Sequence, residues 1–151
     1  MANSDHLRIL QQGVTSWNHW RRGDLSRPEL QQADLSNAHL SGVNLQEAYL
    51  QKIILVDADL SHANLRKADL TDAYLIRVDL SHADLSFANL QGAILIEAKL
   101  THTLFKGANL EDAELGHAHI EQTNFVRANL KRANIDDVDL SSADLKRAIL
   151  E

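Results

Sequence analysis

From Leu25 to Leu150 an apolar residue stands at every fifth position, with no insertion or deletion. Of these 26 centres, 22 are Leu; the other four, Phe105, Ile120, Phe125 and Ile135, are also large and apolar. Two residues before the centre stands Ala in 18 repeats, and most of the remaining eight are also small. Asp and Asn crowd the position just before the centre, as in Ala33-Asp34-Leu35 and Ala63-Asn64-Leu65, with Ser, Thr or Gln often following. A period of five suits neither regular element. On an α-helix five residues advance the direction by about 140° and would spread the leucines round every side. On a straight strand the centres would alternate faces. The chain must therefore turn once per repeat, which brings each centre back inside. Asp and Asn suit such corners because their short side chains bond to nearby backbone and tolerate turn conformations.

Like residues recur at an interval of 20: Ile54, Tyr74 and Ile94; Val56, Ile76 and Ile96; His62, His82 and His102; and inside, Thr103 with Phe105 and Thr123 with Phe125. A three-sided coil would instead place Ile54 with Asp69 and Asp84. The expectation is a four-sided coil, about 6.5 turns from 26 repeats. At ~4.8 Å per coil the rod would be about 31 Å long. No single coil can bury its own ring of leucines, so stability must come from stacking.

This pattern, a small residue, Asp or Asn, Leu and two polar residues, resembles the pentapeptide-repeat family over residues 23–151. The resemblance implies an all-β solenoid, a right-handed quadrilateral parallel β-helix whose central and Ala-type residues point inward. It also points to the cyanobacterial members, which are numerous. Some members protect DNA gyrase by mimicking DNA, so a gyrase-binding DNA mimic is the alternative function.

Residues 4–22 do not repeat. Leu7, Leu10, Val14 and Trp17 fall at helical spacing after Ser4, a plausible N-cap, and before Gly23, a plausible stop. Residues 1–22 are therefore read as an amphipathic helix capping the first coil, and 23–151 as the solenoid. A partner-docking helix carried by Trp17 and Trp20 is the competing reading. At the other end no lid is evident, and an unpaired coil edge favours pairing with another chain.

Composition narrows the chemistry. At 151 residues the chain is long enough for one real core, and 44% hydrophobic with 24% charged residues is a globular balance. A formal charge of −6 argues against a nucleic-acid partner, since phosphate binding needs a basic face. There is no cysteine, and neither a spanning apolar run nor a signal-peptide pattern, so no membrane is expected and the cytoplasm is the default. A solenoid filled with Leu and Ala has no cleft, and no phosphate loop or nucleophile elbow is present. No enzyme activity and no cofactor are expected.

Function should then lie on the outer walls. Ten outward positions beside the centres are large and apolar, and six share one side: Ile54, Val56, Tyr74, Ile76, Ile94 and Ile96. Asp57, Arg77, Glu97 and Lys52 rim them. This is the candidate protein-binding patch. A homodimer would form through it or through the last coil. The competing view is plain ladder packing of β-branched residues. The His62, His82 and His102 column, with His39, His117 and His119 elsewhere, is read as a solvated stack, being convex and without supporting groups for a metal. Another side carries Arg66, Lys67, Lys106, Arg127, Lys146 and Arg147, and these interleaved cations weigh against DNA mimicry.

Overall fold

A computed structural model describes residues 1–151. Parallel bridges join residues 20 apart throughout the repeat, among them Asp34 with Ile54, Ile54 with Tyr74, and Tyr74 with Ile94. One coil is therefore 20 residues, or four repeats, as the recurrences predict. The repeat makes no extended strand. Each side pairs through one residue and then turns, so four bridge ladders run along the rod axis.

One repeat shows the local logic. Ala58 N–H donates to Leu55 O at 3.1 Å and closes a turn, with Asp57 left-handed at φ 58°. Leu55 N–H donates to Tyr74 O at 2.8 Å, Asp57 N–H to Ile76 O at 3.0 Å, and Tyr74 N–H to Ile53 O at 2.9 Å. Twenty non-glycine residues hold this left-handed conformation, which costs about 1 kcal/mol for each. In sixteen of the twenty the same residue's N–H makes a coil-to-coil backbone bond that offsets that cost. Asp and Asn before the centre lie on the bridged sides, not at the corner as expected, because the left-handed turn falls two residues after the centre. From there they steady the chain entering the turn: Asp34 Oδ1 accepts from Ser36 N–H at 3.0 Å, and Asn64 Oδ1 from Arg66 N–H at 3.2 Å.

The centres from Leu40 to Leu130 and nearly all Ala-type residues between them are buried in one continuous core. Burying a leucine contributes roughly 1.5–3 kcal/mol. The Phe105 and Phe125 rings stack at 5.2 Å. Beside them Thr103 Oγ1 donates to Leu80 O at 2.8 Å and Thr123 Oγ1 to Leu100 O at 2.6 Å, which satisfies both buried hydroxyls.

Two expectations at the start of the chain are corrected. The N-terminal segment is two helices, α1 (Ser4–Gln11) and α2 (Val14–Gly23), because Gly13 takes φ 103°. The cap of α1 is Asn3, not Ser4: Asn3 Oδ1 accepts from the N–H groups of Asp5 and His6. Leu10 and Trp17 are buried, while Leu7 and Val14 are half-buried against the same core. Second, Leu25 is not a core residue. It is 93% exposed, and bridging begins with Glu29 and Tyr49. The stacked core therefore starts at Leu30, leaving 25 centres, about 6.25 coils. Trp17 takes the place beneath Leu45 that Leu25 would have filled, and its Nε1–H donates to Asn44 O at 2.8 Å.

The ladders are continuous with one exception. Lys99 bridges His119, but His119 does not bridge Asp139, and the Glu121–Gln122 corner lacks the regular turn. Gln122 N–H bonds to Ser142 Oγ at 3.2 Å instead of to backbone. A cleft of about 420 Å3 opens there, lined in part by His117, His119, Glu121, Asp137 and Asp139.

Candidate functional site

On the Leu35 side the residues before the centres read Asp34, Ile54, Tyr74, Ile94, Glu114 and Asn134 up the rod, bridged in succession. Those after the centres read Ser36, Val56, Ile76, Ile96, Gly116 and Asp136. All six apolar residues of the patch share this wall, three rungs high and two wide, with polar residues below and above. Tyr74 is 42% exposed, and the other five are half-buried against their ladder neighbours. The side chains point outward, since Leu55, Leu75 and Leu95 between them are buried.

The rim is partly locked. Arg77 Nε and Nη2 donate to the two carboxylate oxygens of Asp57, each at 2.7 Å. That paired hydrogen bond holds the Asp57 carboxyl below the ordinary carboxylate range and raises Arg77. Lys52, at the opposite corner of this wall, makes no ion pair.

Other outward apolar residues are dispersed. Tyr49 is engaged by the stretch that follows α2: the Arg27 guanidinium lies 4.0 Å from its ring centroid and donates to its Oη at 2.8 Å. Leu104 and Val126 lie on the Leu45 side, and Ile149 on the Leu30 side. One exposed aromatic escaped the sequence reading: Phe87, 52% exposed, at a left-handed corner with φ 61°. A Cβ on Gly107, one coil on, would come within 2.8 Å of its ring, so glycine makes room for it. A Phe at the second position after a centre, followed 20 residues later by Gly, was the available signal.

The histidine column is as drawn from the sequence. His62 and His82 stack at 4.9 Å and 2°, and His82 and His102 at 4.9 Å and 14°. His117 Nδ1 faces Asp137 Oδ2 at 3.7 Å in the cleft. No three His, Asp or Glu side chains converge as a metal-ligand set. No helix is long and apolar enough to cross a membrane.

A coil of four five-residue sides, filled with Leu and bridged at intervals of 20, defines a class of repeat solenoid. The chain belongs to the pentapeptide-repeat family: the model for "Pentapeptide repeats" matches eight copies over residues 24–55, 53–86, 83–122 and 113–151. Among solved structures it is similar to HetL, a pentapeptide repeat protein involved in heterocyst differentiation regulation from the cyanobacterium Nostoc sp. strain PCC 7120. That pair is 33% identical with a TM-score of 0.41, covering 87% of this chain and 62% of HetL. A pentapeptide repeat protein of the Arabidopsis thaliana thylakoid lumen is 31% identical, with 71% of this chain and 70% of that one covered and a TM-score of 0.55. Rfr23, from the cyanobacterium Cyanothece 51142, is 28% identical over 87% of this chain and 92% of its own, with a TM-score of 0.44. This chain thus spans somewhat less than two thirds of HetL. No curated protein matches it.

Proposed function

We propose that this protein is a non-enzymatic scaffold that binds another protein through the Leu35 side, with Ile54, Val56, Tyr74, Ile76, Ile94 and Ile96 as the contact. The observation that carries the reading is contiguity. Three successive rungs are apolar at both outward positions, whereas the ladders of the other three sides are mostly Asp, Asn, Ser, Thr and Gln. Polar ladders evidently suffice for stacking, so packing alone does not require this cluster. With much of it already half-buried, the patch seeds an interface that the charged rim completes.

In this reading the coil is right-handed, as the family resemblance implies, α1 and α2 are a lid on the first coil, and the cytoplasm is the working compartment. The DNA-mimic alternative finds less support. It needs an unbroken acidic face, yet Asp57, Asp79, Asp84, Glu111 and Asp112 are each paired with a cation.

The test is Ile76→Asp, read as mass in solution and as capture of partners from the native host. Loss of self-association or of a specific captured protein, with the fold retained, supports the reading. Association unchanged by the substitution removes the patch from it.

A further inference from the structure

The Leu45 side and the corner after it gather six cations, and the structure divides them into two groups. Arg66 is tied to Asp84 at 3.0 Å, and Lys67 to Glu47 at 3.7 Å. Lys106, Arg127, Lys146 and Arg147 make no ion pair and are exposed. These four, with Val126, line a shallow groove of about 240 Å3. On a chain of net charge −6, four unpaired cations at one corner over three rungs are a local reversal of sign. At the foot of the groove stand two exposed apolar side chains: Leu104, on the same side, and Phe87, whose ring covers Gly107.

We infer that this corner binds an acidic segment of a partner protein, an extended stretch with carboxylates set beside one large apolar side chain. This surface is separate from the Leu35 side and does not depend on it. The rungs at Lys106, Arg127 and Lys146–Arg147 span about 10 Å at the β spacing, the reach of about three extended residues. Carboxylates on alternate residues of such a segment, some 7 Å apart, face the cations. The apolar residue packs on Phe87 and Leu104. A polynucleotide fits less well. Its charges continue beyond three rungs, where the cations below, Arg66 and Lys67, are already paired with Asp84 and Glu47. Salt weakens binding here because the cations are solvated and a Debye length of ~8–10 Å screens them.

The experiment is fluorescence anisotropy on the full chain with two labelled probes: a peptide of one leucine followed by alternating glutamates, and a single-stranded thymidine oligonucleotide. Arg127→Glu combined with Lys146→Glu cancels the groove's net positive charge, leaving Lys106 and Arg147 against two glutamates. The Arg127 change is compatible with the fold because Glu47 and Glu97 already hold the same left-handed repeat position at φ 60° and 57°. Phe87→Asn removes the apolar foot with a residue suited to that conformation. Lys52→Glu, at a different corner, is the control, and thermal melting checks each fold. The expected result is peptide binding that weakens with salt and falls about tenfold in the double charge reversal. Phe87→Asn lowers it about fivefold, and Lys52→Glu leaves it unchanged. Absence of peptide binding, equal loss with Lys52→Glu, or tighter binding of the oligonucleotide than of the peptide overturns the inference.

Discussion

Trp17 Nε1–H donates to Asn44 O at 2.8 Å, and that carbonyl is the one a coil below would otherwise bond. One coil further on, Asn64 O accepts from Leu45 N–H at 2.8 Å, and Asp84 O from Leu65 N–H at 2.8 Å. Trp17 thus substitutes for the missing amide of Leu25 while its ring fills the missing leucine's volume. Neighbouring side chains extend the substitution. Asn44 N–H donates to Asn18 Oδ1 at 2.8 Å, and Arg21 Nη2 donates to Gln46 O at 3.2 Å. On the adjoining side Asn3 N–H donates to Glu29 O at 2.8 Å, and Glu29 N–H to His6 Nδ1 at 3.0 Å. The N-terminal residues thus bond edge groups on two of the four sides, at Glu29 and at Asn44 with Gln46.

Trp17→Ala should therefore destabilise the protein by about 3–5 kcal/mol, since it empties a buried site and orphans Asn44 O. Leu25→Ser should change stability by less than about 0.5 kcal/mol. Urea denaturation of both variants checks the contrast. Equal losses would mean that Leu25 is a core residue after all.

Inside the rod, Phe105→Ala should cost about 3–5 kcal/mol by opening a cavity under the Phe125 ring. Thr123→Val keeps the shape but removes the hydroxyl that donates to Leu100 O, and should cost about 1 kcal/mol. Thermal melts distinguish the two magnitudes.

Stability should fall in acid. The Asp57 and Asp112 carboxyls are held low by hydrogen bonds from Arg77 and Arg132, and Asp34 and Asp139 by those from Ser36 and Ser141. A depressed folded pKa adds stability above the unfolded value of about 3.9, and that stability is lost as pH drops through the folded value. Denaturation midpoints should hold steady between about pH 5 and 7 and decline below about 4. Arg77→Met should shallow that decline, more visibly at low salt.

The interrupted ladder makes its own prediction. His119 N–H is bonded to Ala98 O at 2.9 Å, but Asp139 N–H has no such bond to Ala118 O. Hydrogen exchange should be faster at Ile120 and Asp139 than at the equivalent Leu100 and His119. Uniform protection across these four amides would contradict the opening.

Most of the fold was readable because one rule repeats without interruption: a leucine inside, a small residue beside it, an Asp or Asn just before the leucine. The interval of 20 between Ile54, Tyr74 and Ile94 is the same interval that the bridges show. The departures arise where a local pattern meets a particular neighbour. Leu25 obeys the period, but the period cannot register that Trp17 already fills the space below Leu45. The helical spacing of Leu7, Leu10, Val14 and Trp17 runs straight through Gly13, so it does not show that the glycine divides the segment. His119 and Asp139 look like any other residues before a centre, so the opening between them left no mark on the sequence. Of the outward sites, the apolar wall was legible because like stacked on like. Phe87 was not, because it lies at a corner rather than on a side.

The central claim is that inward centres zip the rod while the wall beside them is free to bind. Thermal melting of Leu75→Asp against Ile76→Asp tests it most directly, for these neighbours are buried and outward respectively. Leu75→Asp should abolish the cooperative transition. Ile76→Asp should keep it, at a cost of about 1 kcal/mol from lost ladder packing. Loss of the transition in both variants would contradict the account.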